Sequence, residues 1–293
     1  MNPKPDDPQA GAPNSKLARK SREILSKYGL RLRKSLGQNL LVDEGIFEEI
    51  IAALDLRQDD WVLEIGSGIG FLTSKLAEKA GRVVAIEIDP KLIFLLRQEL
   101  KDFTNLDLIE ADILKVDLDQ LMRHAEGGRQ KAAANLPYYI TSPVIMHLLK
   151  FKHNFTRLVI MVQKEVGKRI LSRPGTKDYG VLSIAVQYHT EPRLVTYVDR
   201  KSFFPSPAVD SMVLTLDILE QPRVGLKDEG FFFKVVKAAF SQRRKMLRGS
   251  LRSLGLEGQV IIDLLTELGI DPARRGETLS LEEFAAISDR IRQ

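Results

Sequence analysis

Between residues 61 and 218, short apolar runs alternate with segments whose apolar residues recur every three or four positions. The runs at 61–65 (WVLEI), 82–87 (RVVAIE), 106–110, 132–135 and 158–163 have the length and composition of buried strands. The segments at 71–80, 90–100, 142–149, 164–171 and 181–188 have helical periodicity. Ser142 is read as the cap of the third and Pro143 as its first-turn proline. This alternation predicts an α/β fold on a mostly parallel, doubly wound sheet. Two later strands, at 194–198 and 211–218, are separated only by a proline-containing loop. They predict an antiparallel hairpin at the sheet edge.

The flanking segments differ in pattern. Residues 1–13 are rich in Pro, Gly, Asn and Asp and lack apolar periodicity, which predicts a disordered tail. A short basic helix is expected over 15–28, then a basic loop over 30–39, then a helix from 44 to about 54 capped by Asp43. Beyond Pro222 the strand pattern stops. Four helices are expected at 231–240, 245–254, 259–268 and 281–291, punctuated by Gly255, Gly269 and Pro272. The expected domains are a flexible, basic N-terminal extension (1–29), a Rossmann-like α/β domain (30–220) and a small all-helical domain (221–293).

Composition narrows the chemistry. The 293 residues include no cysteine, which excludes disulfides, thiolate metal sites and cysteine nucleophiles. The four histidines have no metal-ligand spacing, so no metal is expected. No apolar run approaches the roughly 18 residues of a membrane span, and no signal peptide opens the chain. A cytoplasmic monomer is expected. The 44 Lys and Arg exceed the 39 Asp and Glu by five, and residues 1–43 hold nine of the cations and four of the acids. Residues 230–256 hold seven cations and no acid. Two basic zones on an otherwise balanced chain fit a polyanionic partner.

Four stretches carry candidate chemistry. Gly66, Gly68 and Gly70 sit where a strand turns into a helix, so a ligand can approach the backbone and free N–H groups closely. The third glycine follows the first by four residues, not the five of a dinucleotide fingerprint. That spacing, with no catalytic His or Lys constellation, argues against a nicotinamide dehydrogenase. Glu87 ends the next strand, 21 residues after Gly66, where a carboxylate can accept both ribose hydroxyls. Asp112 follows the third strand. Its position suits either an acceptor for an adenine amine or the N-cap of the next segment.

The fourth stretch is Asn135-Leu136-Pro137-Tyr138 at the end of the fourth strand. An adenine amine is a weak nucleophile because its lone pair is delocalised into the ring. An Asn oxygen and a backbone carbonyl can accept its two N–H bonds and favour a pyramidal nitrogen. Pro137 stiffens the turn and Tyr138 can stack on an extruded base. An ordinary strand-end turn is the other reading of these residues.

Together these stretches resemble the small-subunit rRNA adenine N6,N6-dimethyltransferase family, Rossmann-like enzymes that use S-adenosyl-L-methionine. The resemblance runs through LRLRKSLGQNLLVD (30–43), VLEIGSGIGFLT (62–73), NLPYYITSPV (135–144), FFPSPAVDSMV (203–213) and AFSQRRKMLRGSL (239–251). It implies a cofactor held by Gln38, Asn39, Leu41, Gly66, Gly68, Glu87, Asp112 and Asn135. It implies a target adenine held by Asn135, Pro137 and Tyr138, with Phe203 stacked on its other face as an exposed residue. It implies rRNA contacts from Lys34, Arg243, Arg244, Lys245 and Arg248. The substrate implied is a pair of adjacent adenosines near the 3′ end of small-subunit rRNA, dimethylated in an assembling subunit. Related enzymes acting on large-subunit rRNA share the Asn-x-Pro-Tyr turn, but the GQNLL, NLPYYIT and FSQRRK segments favour the small-subunit branch. A binding-only assembly factor is disfavoured because every expected site residue is present. Leu40 and Ala208 depart from the Phe and Lys usual at those positions, and residues 1–29 have no counterpart in the pattern.

Overall fold

Val, Ile, Leu and Ala fill the central strands because both faces of the sheet are covered. The computed structural model describes residues 15–33, 36–123, 130–242 and 245–292, and these divide into two units. The first unit comprises residues up to 167 together with 193–218. Its seven-stranded sheet has the order β4-β3-β2-β5-β6-β9-β7. The strands are β2 (Trp61–Ile65), β3 (Arg82–Glu87), β4 (Leu106–Glu110), β5 (Gln130–Asn135), β6 (Arg157–Gln163), β7 (Thr190–Val198) and β9 (Ser211–Ile218). Strands β4, β3, β2, β5 and β6 are parallel, and β9 runs antiparallel to β6 with Gln163 opposite Ser211. The two late strands do lie at one edge, with β9 between β6 and β7. A separate two-stranded ribbon pairs β1 (Leu40–Leu41) with β8 (Phe203–Phe204), Leu41 opposite Phe203.

Among the described residues, six helices belong wholly to this unit: α1 (Lys16–Lys27), α2 (Glu44–Leu54), α3 (Phe71–Lys79), α4 (Pro90–Glu99), the single turn α5 (Leu118–Leu121) and α6 (Thr141–Lys150). Their starts follow capping chemistry. Ser15, Asp43 and Asp89 accept backbone N–H bonds at the heads of α1, α2 and α4, and Pro90 opens α4. The start of α6 differs from the expected Ser142 cap. The helix begins at Thr141 after Ile140, and the Thr141 hydroxyl bonds back to the Pro137 carbonyl at 3.1 Å. That contact winds the Pro-Tyr-Tyr turn into the helix. At the opposite end of the sheet, the buried Lys131 ammonium pairs with Asp60 at 2.7 Å and also donates to the Asp55 carbonyl. This ties the start of β5 to the loop before β2.

The second unit comprises residues 168–192 and 219 onward. It contains the second half of α7 (Lys164–Leu171), then α8 (Val181–His189), α9 (Glu229–Phe240), the short α10 (Leu247–Ser250), α11 (Gly258–Glu267) and α12 (Leu281–Ile291). The helical unit resumes at Leu219, beside the boundary expected at 220, but it also takes in residues 168–192. Tyr179, Ile184 and Tyr188 share a core with Phe232, Leu265 and Phe284, so this segment buries its apolar face among the C-terminal helices. The helix expected over 245–254 is two pieces, α10 and a 3₁₀ turn at Leu251–Leu254. The tail expected over 1–13 lies outside the described residues, apart from which α1 gives the N-terminal extension a structured part.

Candidate active site

The carboxyl ends of β2, β3, β4 and β5 surround a cavity of about 230 Å³, closed on one side by residues 36–41 and Phe203. Gln38, Asn39, Leu41, Gly66, Gly68, Glu87, Asp112, Asn135, Pro137, Tyr138 and Phe203 all line it. Residues from six separate stretches of sequence thus meet in one place, where open α/β sheets bind ligands.

The glycine turn is shaped by backbone strain that only glycine tolerates. Gly66, Gly68 and Gly70 have φ of +79°, +57° and +88°. A Cβ on Gly70 would lie 2.8 Å from Leu96 Cδ2, so the third glycine lets α3 start against α4. A Cβ on Gly68 would meet Leu40 Cδ2 at 3.2 Å, which places Leu40 directly over the turn. Below the turn, the Glu87 carboxylate accepts three backbone bonds: Gly68 N–H at 3.0 Å, Ile88 N–H at 2.9 Å and Asp89 N–H at 3.0 Å. Burial raises the Glu87 pKa, and these three bonds oppose the rise. Oε1 takes two of these bonds and Oε2 one, so the remaining lone pair for a ribose hydroxyl is on Oε2.

Asp112 is the N-cap that its position allowed, and it stands at the cavity. One oxygen caps the short 3₁₀ turn through Leu114 N–H at 3.1 Å, and the residue also lines the cavity. Gln38 joins the residue 36–41 strap to the head of α4: its Nε2 donates to Asp89 Oδ2 at 3.1 Å and its Oε1 accepts from Arg33 N–H at 2.6 Å. Asn135 Nδ2 donates to the Asn39 carbonyl at 3.3 Å. That bond commits the amide nitrogen and leaves Oδ1 as an acceptor at the strand end. Tyr138 shares a hydrogen bond with Ser211 at 2.9 Å, fixing its ring against β9, and burial pushes its pKa up.

Phe203 is not the exposed residue expected from the loop pattern. It is 1% exposed and packs with Leu41, Phe47, Ile50 and Val213. Pairing of β8 with β1 turns the ring inward, so it is a wall of the cavity and part of the core at once. Beside Ala208, the Arg200 guanidinium reaches the Ala208 carbonyl at 3.2 Å, so a cation still stands next to the position that lacks the family Lys.

Two cavity residues, Glu64 and Tyr139, escaped the sequence reading. Glu64 is buried in β2, its Oε2 has no hydrogen-bond partner, and burial pushes its pKa up to about 7. Ser67 and Thr73 hydroxyls lie near enough to favour its carboxylate, but neither is in hydrogen-bond geometry. Tyr139 is 56% exposed on the cavity rim, against Gly37. The legible signals were one acid inside an apolar strand and a second aromatic after Pro137.

Charge decides what kind of ligand fits. Among the described residues the lining includes Glu64, Glu87 and Asp112 and no Lys, Arg or His. A pyrophosphate would meet the Glu87 and Asp112 carboxylates there without a cation in the lining, whereas a cationic ligand with ribose hydroxyls is complemented. Comparisons with known proteins agree. A sequence model described as ribosomal RNA adenine dimethylase matches residues 29–293. The chain belongs to the ribosomal RNA adenine dimethylase family.

Its relatives include the ribosomal RNA small subunit methyltransferase A of Moorella thermoacetica, 51% identical over 90% of this chain and 94% of that protein. A Clostridium botulinum protein of the same name is 46% identical over 92% of this chain and 98% of its own. Among solved structures, a dimethyladenosine transferase from Plasmodium falciparum is 28% identical with a TM-score of 0.73, covering 85% of this chain and 95% of that one. The 23S rRNA methyltransferase ErmE is 26% identical with a TM-score of 0.66, covering 87% and 100%. The protein is thus a Rossmann-like rRNA adenine methyltransferase, and S-adenosylmethionine is the cofactor of its family. The acidic, cation-free lining and the unpartnered Glu64 and Ser67 oxygens fit that cofactor.

The expected rRNA contacts are placed only in part. Lys245 and Arg248 are exposed at the head of α10 in the second unit. Lys34, Arg243 and Arg244 lie outside the described residues.

Proposed function

We propose that the protein dimethylates the N6 amines of two adjacent adenosines in a loop near the 3′ end of small-subunit rRNA, within an assembling subunit. The observation that carries this reading is the Asn135 amide, with its nitrogen tied to Asn39 and its oxygen left to accept. That oxygen takes one N–H of the adenine amine and a backbone carbonyl of the same turn takes the other. The nitrogen lone pair is thereby freed for attack. Pro137 and Tyr138 hold the base, and the Phe203 wall bounds its far side. Gln38, Asn39, Leu41, Gly66, Gly68, Glu87 and Asp112 hold the cofactor, Glu87 through its ribose. S-adenosylmethionine supplies an electrophilic methyl on a cationic sulfur. The amine displaces the thioether, which leaves neutral, and the amine's proton passes to water. Glu87 and Asp112 stabilise the bound cation, and positioning supplies most of the rate.

The second methylation needs the same amine to return with one methyl on it. The small-subunit assignment rests on the names of the relatives at 46–51% identity. We place the enzyme in the cytoplasm as a monomer. Among the described residues, no helix is long and apolar enough to cross a membrane.

The test is methyl transfer from labelled S-adenosylmethionine to small subunits of a methylation-deficient strain, to large subunits and to free rRNA, followed by nucleoside analysis. Label in N6,N6-dimethyladenosine from small subunits alone is the expected result. Label in large-subunit rRNA would move the protein to the other branch, and no label despite bound cofactor would leave a binding role.

A further inference from the structure

The segment that the family match leaves out is an ordered helix beside the cavity strap. The match begins at residue 29, yet α1 spans Lys16–Lys27. Ala18, Ile24 and Leu25 are buried with Leu40, Val42, Ile69, Leu92 and Phe204, so α1 packs on α4 and on the β1–β8 ribbon. Three polar ties hold it there. Ser15 Oγ donates to the Val42 carbonyl at 2.9 Å, and Lys27 Nζ and Tyr28 OH reach Glu99 at 2.7 and 2.8 Å. A helix fastened at both ends presents a fixed outer face.

That outer face is basic. Lys16, Arg19 and Lys20 are exposed on it, Arg31 extends it along the loop, and Lys91 and Arg97 line the exposed side of α4. Glu23 is the acid that α1 exposes among them. Phe94 lies between Lys91 and Arg97 on α4, 60% exposed, with its ring edge-on to Tyr28 at 6.3 Å. An exposed aromatic among cations is an arrangement that suits an unstacked base with its phosphates on either side. The face also runs into the active site. Arg33 N–H donates to Gln38 Oε1 at 2.6 Å, and Gln38 lines the cavity.

We propose that α1 and the exposed side of α4 form an rRNA-binding surface, separate from Lys245 and Arg248, that grips the strand flanking the target adenosine. The proposal rests on the rRNA methyltransferase reading and adds where the substrate is held. Phosphates lie along Lys16, Arg19, Lys20 and Arg31, and a flanking base stacks on Phe94. Charge complementarity selects RNA as the occupant: a face with this excess of cations repels a basic ribosomal protein and complements the phosphate backbone.

The test compares wild type with the triple variant Lys16→Ala/Arg19→Ala/Arg31→Ala and with the charge-preserving Lys16→Arg/Arg19→Lys/Arg31→Lys. Binding of a small-subunit rRNA fragment carrying the target loop is measured from low to moderate salt, together with S-adenosylmethionine affinity and kcat at saturating RNA. Each lost phosphate contact removes about 0.7–0.9 from the slope of log K against log salt. The neutral variant is therefore expected to lose about 2–3 slope units, with cofactor affinity and kcat retained, while the charge-preserving variant keeps the slope. Phe94→Ala is expected to weaken RNA binding about tenfold with the slope unchanged. An unaltered slope in the neutral variant, with an active wild type, would overturn the proposal. Weakened binding of an acidic ribosomal protein with unaltered RNA binding would overturn it in favour of that partner. A wild type that transfers no methyl to rRNA would instead remove the functional reading itself.

Discussion

Asn135 and Asn39, 96 residues apart, are joined by a hydrogen bond from the Asn135 side-chain amide to the Asn39 carbonyl at 3.3 Å. It orients the amide that ends β5 by means of the strap preceding β1. A carbonyl can receive only the NH2 end, so the oxygen end is set toward acceptor duty without a neighbouring base.

Asn135→Ala is therefore expected to lower kcat by on the order of 10²-fold or more, with cofactor affinity still measurable. Asn135→Asp should fail as well, because a carboxylate cannot donate to the Asn39 carbonyl. Single-turnover methyl transfer alongside calorimetric cofactor binding checks both. Activity near wild type in either variant would remove Asn135 from the adenine site.

Phe203→Ala is expected to cost about 3–5 kcal/mol of stability, since a fully buried aromatic leaves a cavity that the sheet cannot fill. Phe203→Leu should cost less. Urea unfolding measures both. A loss below about 1 kcal/mol would mean that the ring contributes little to the core.

Glu64 titrates in the wrong direction for stability at neutral pH. Its pKa rises from 4.5 to about 7 on folding, so between those values the folded protein holds a proton that the unfolded chain has released. Stability then falls as pH increases through that window, by roughly 3 kcal/mol in all from this group. Glu64→Gln has no such titration. The stability difference between variant and wild type should grow in favour of the variant from pH 4.5 to 7 and level off above. Parallel denaturant titrations at several pH values check it, and a pH-independent difference would contradict the assignment.

Gly70→Ala should destabilise by about 2–4 kcal/mol, combining a left-handed backbone with a Cβ pressed against Leu96 and Leu100. Thermal unfolding reads it directly. The paired change Gly70→Ala/Leu96→Ala relieves the contact with Leu96 but not that with Leu100 or the backbone strain, so it should not recover wild-type stability.

In the helical unit, Lys245→Ala/Arg248→Ala is expected to reduce the salt slope of rRNA binding by about two, leaving cofactor affinity unchanged. An unchanged slope would move the RNA contact away from α10.

Much of this architecture was legible in the chain because local chemistry enforces it. The strands Trp61–Ile65, Arg82–Glu87 and Leu106–Glu110 fall where apolar runs placed them, and Asp43 caps α2 as its position suggested. The Gly-rich turn and the Asn-Leu-Pro-Tyr turn are compact motifs, so each announces its chemistry within ten residues. Tertiary structure decided the rest. Phe203 is buried because β8 pairs with β1, a partner 162 positions away in sequence. Residues 168–192 join the helical unit because their apolar face matches that core, which no local pattern reveals. Glu64 looked like a polar break in a strand, and only the covering layers make it a carboxyl that burial keeps protonated up to about pH 7. Periodicity and turn chemistry act over a few residues and can be read along the chain. Burial, ion pairing and the orientation of an amide depend on atoms brought together from distant segments, and these exist only once the sheet has closed on its helices.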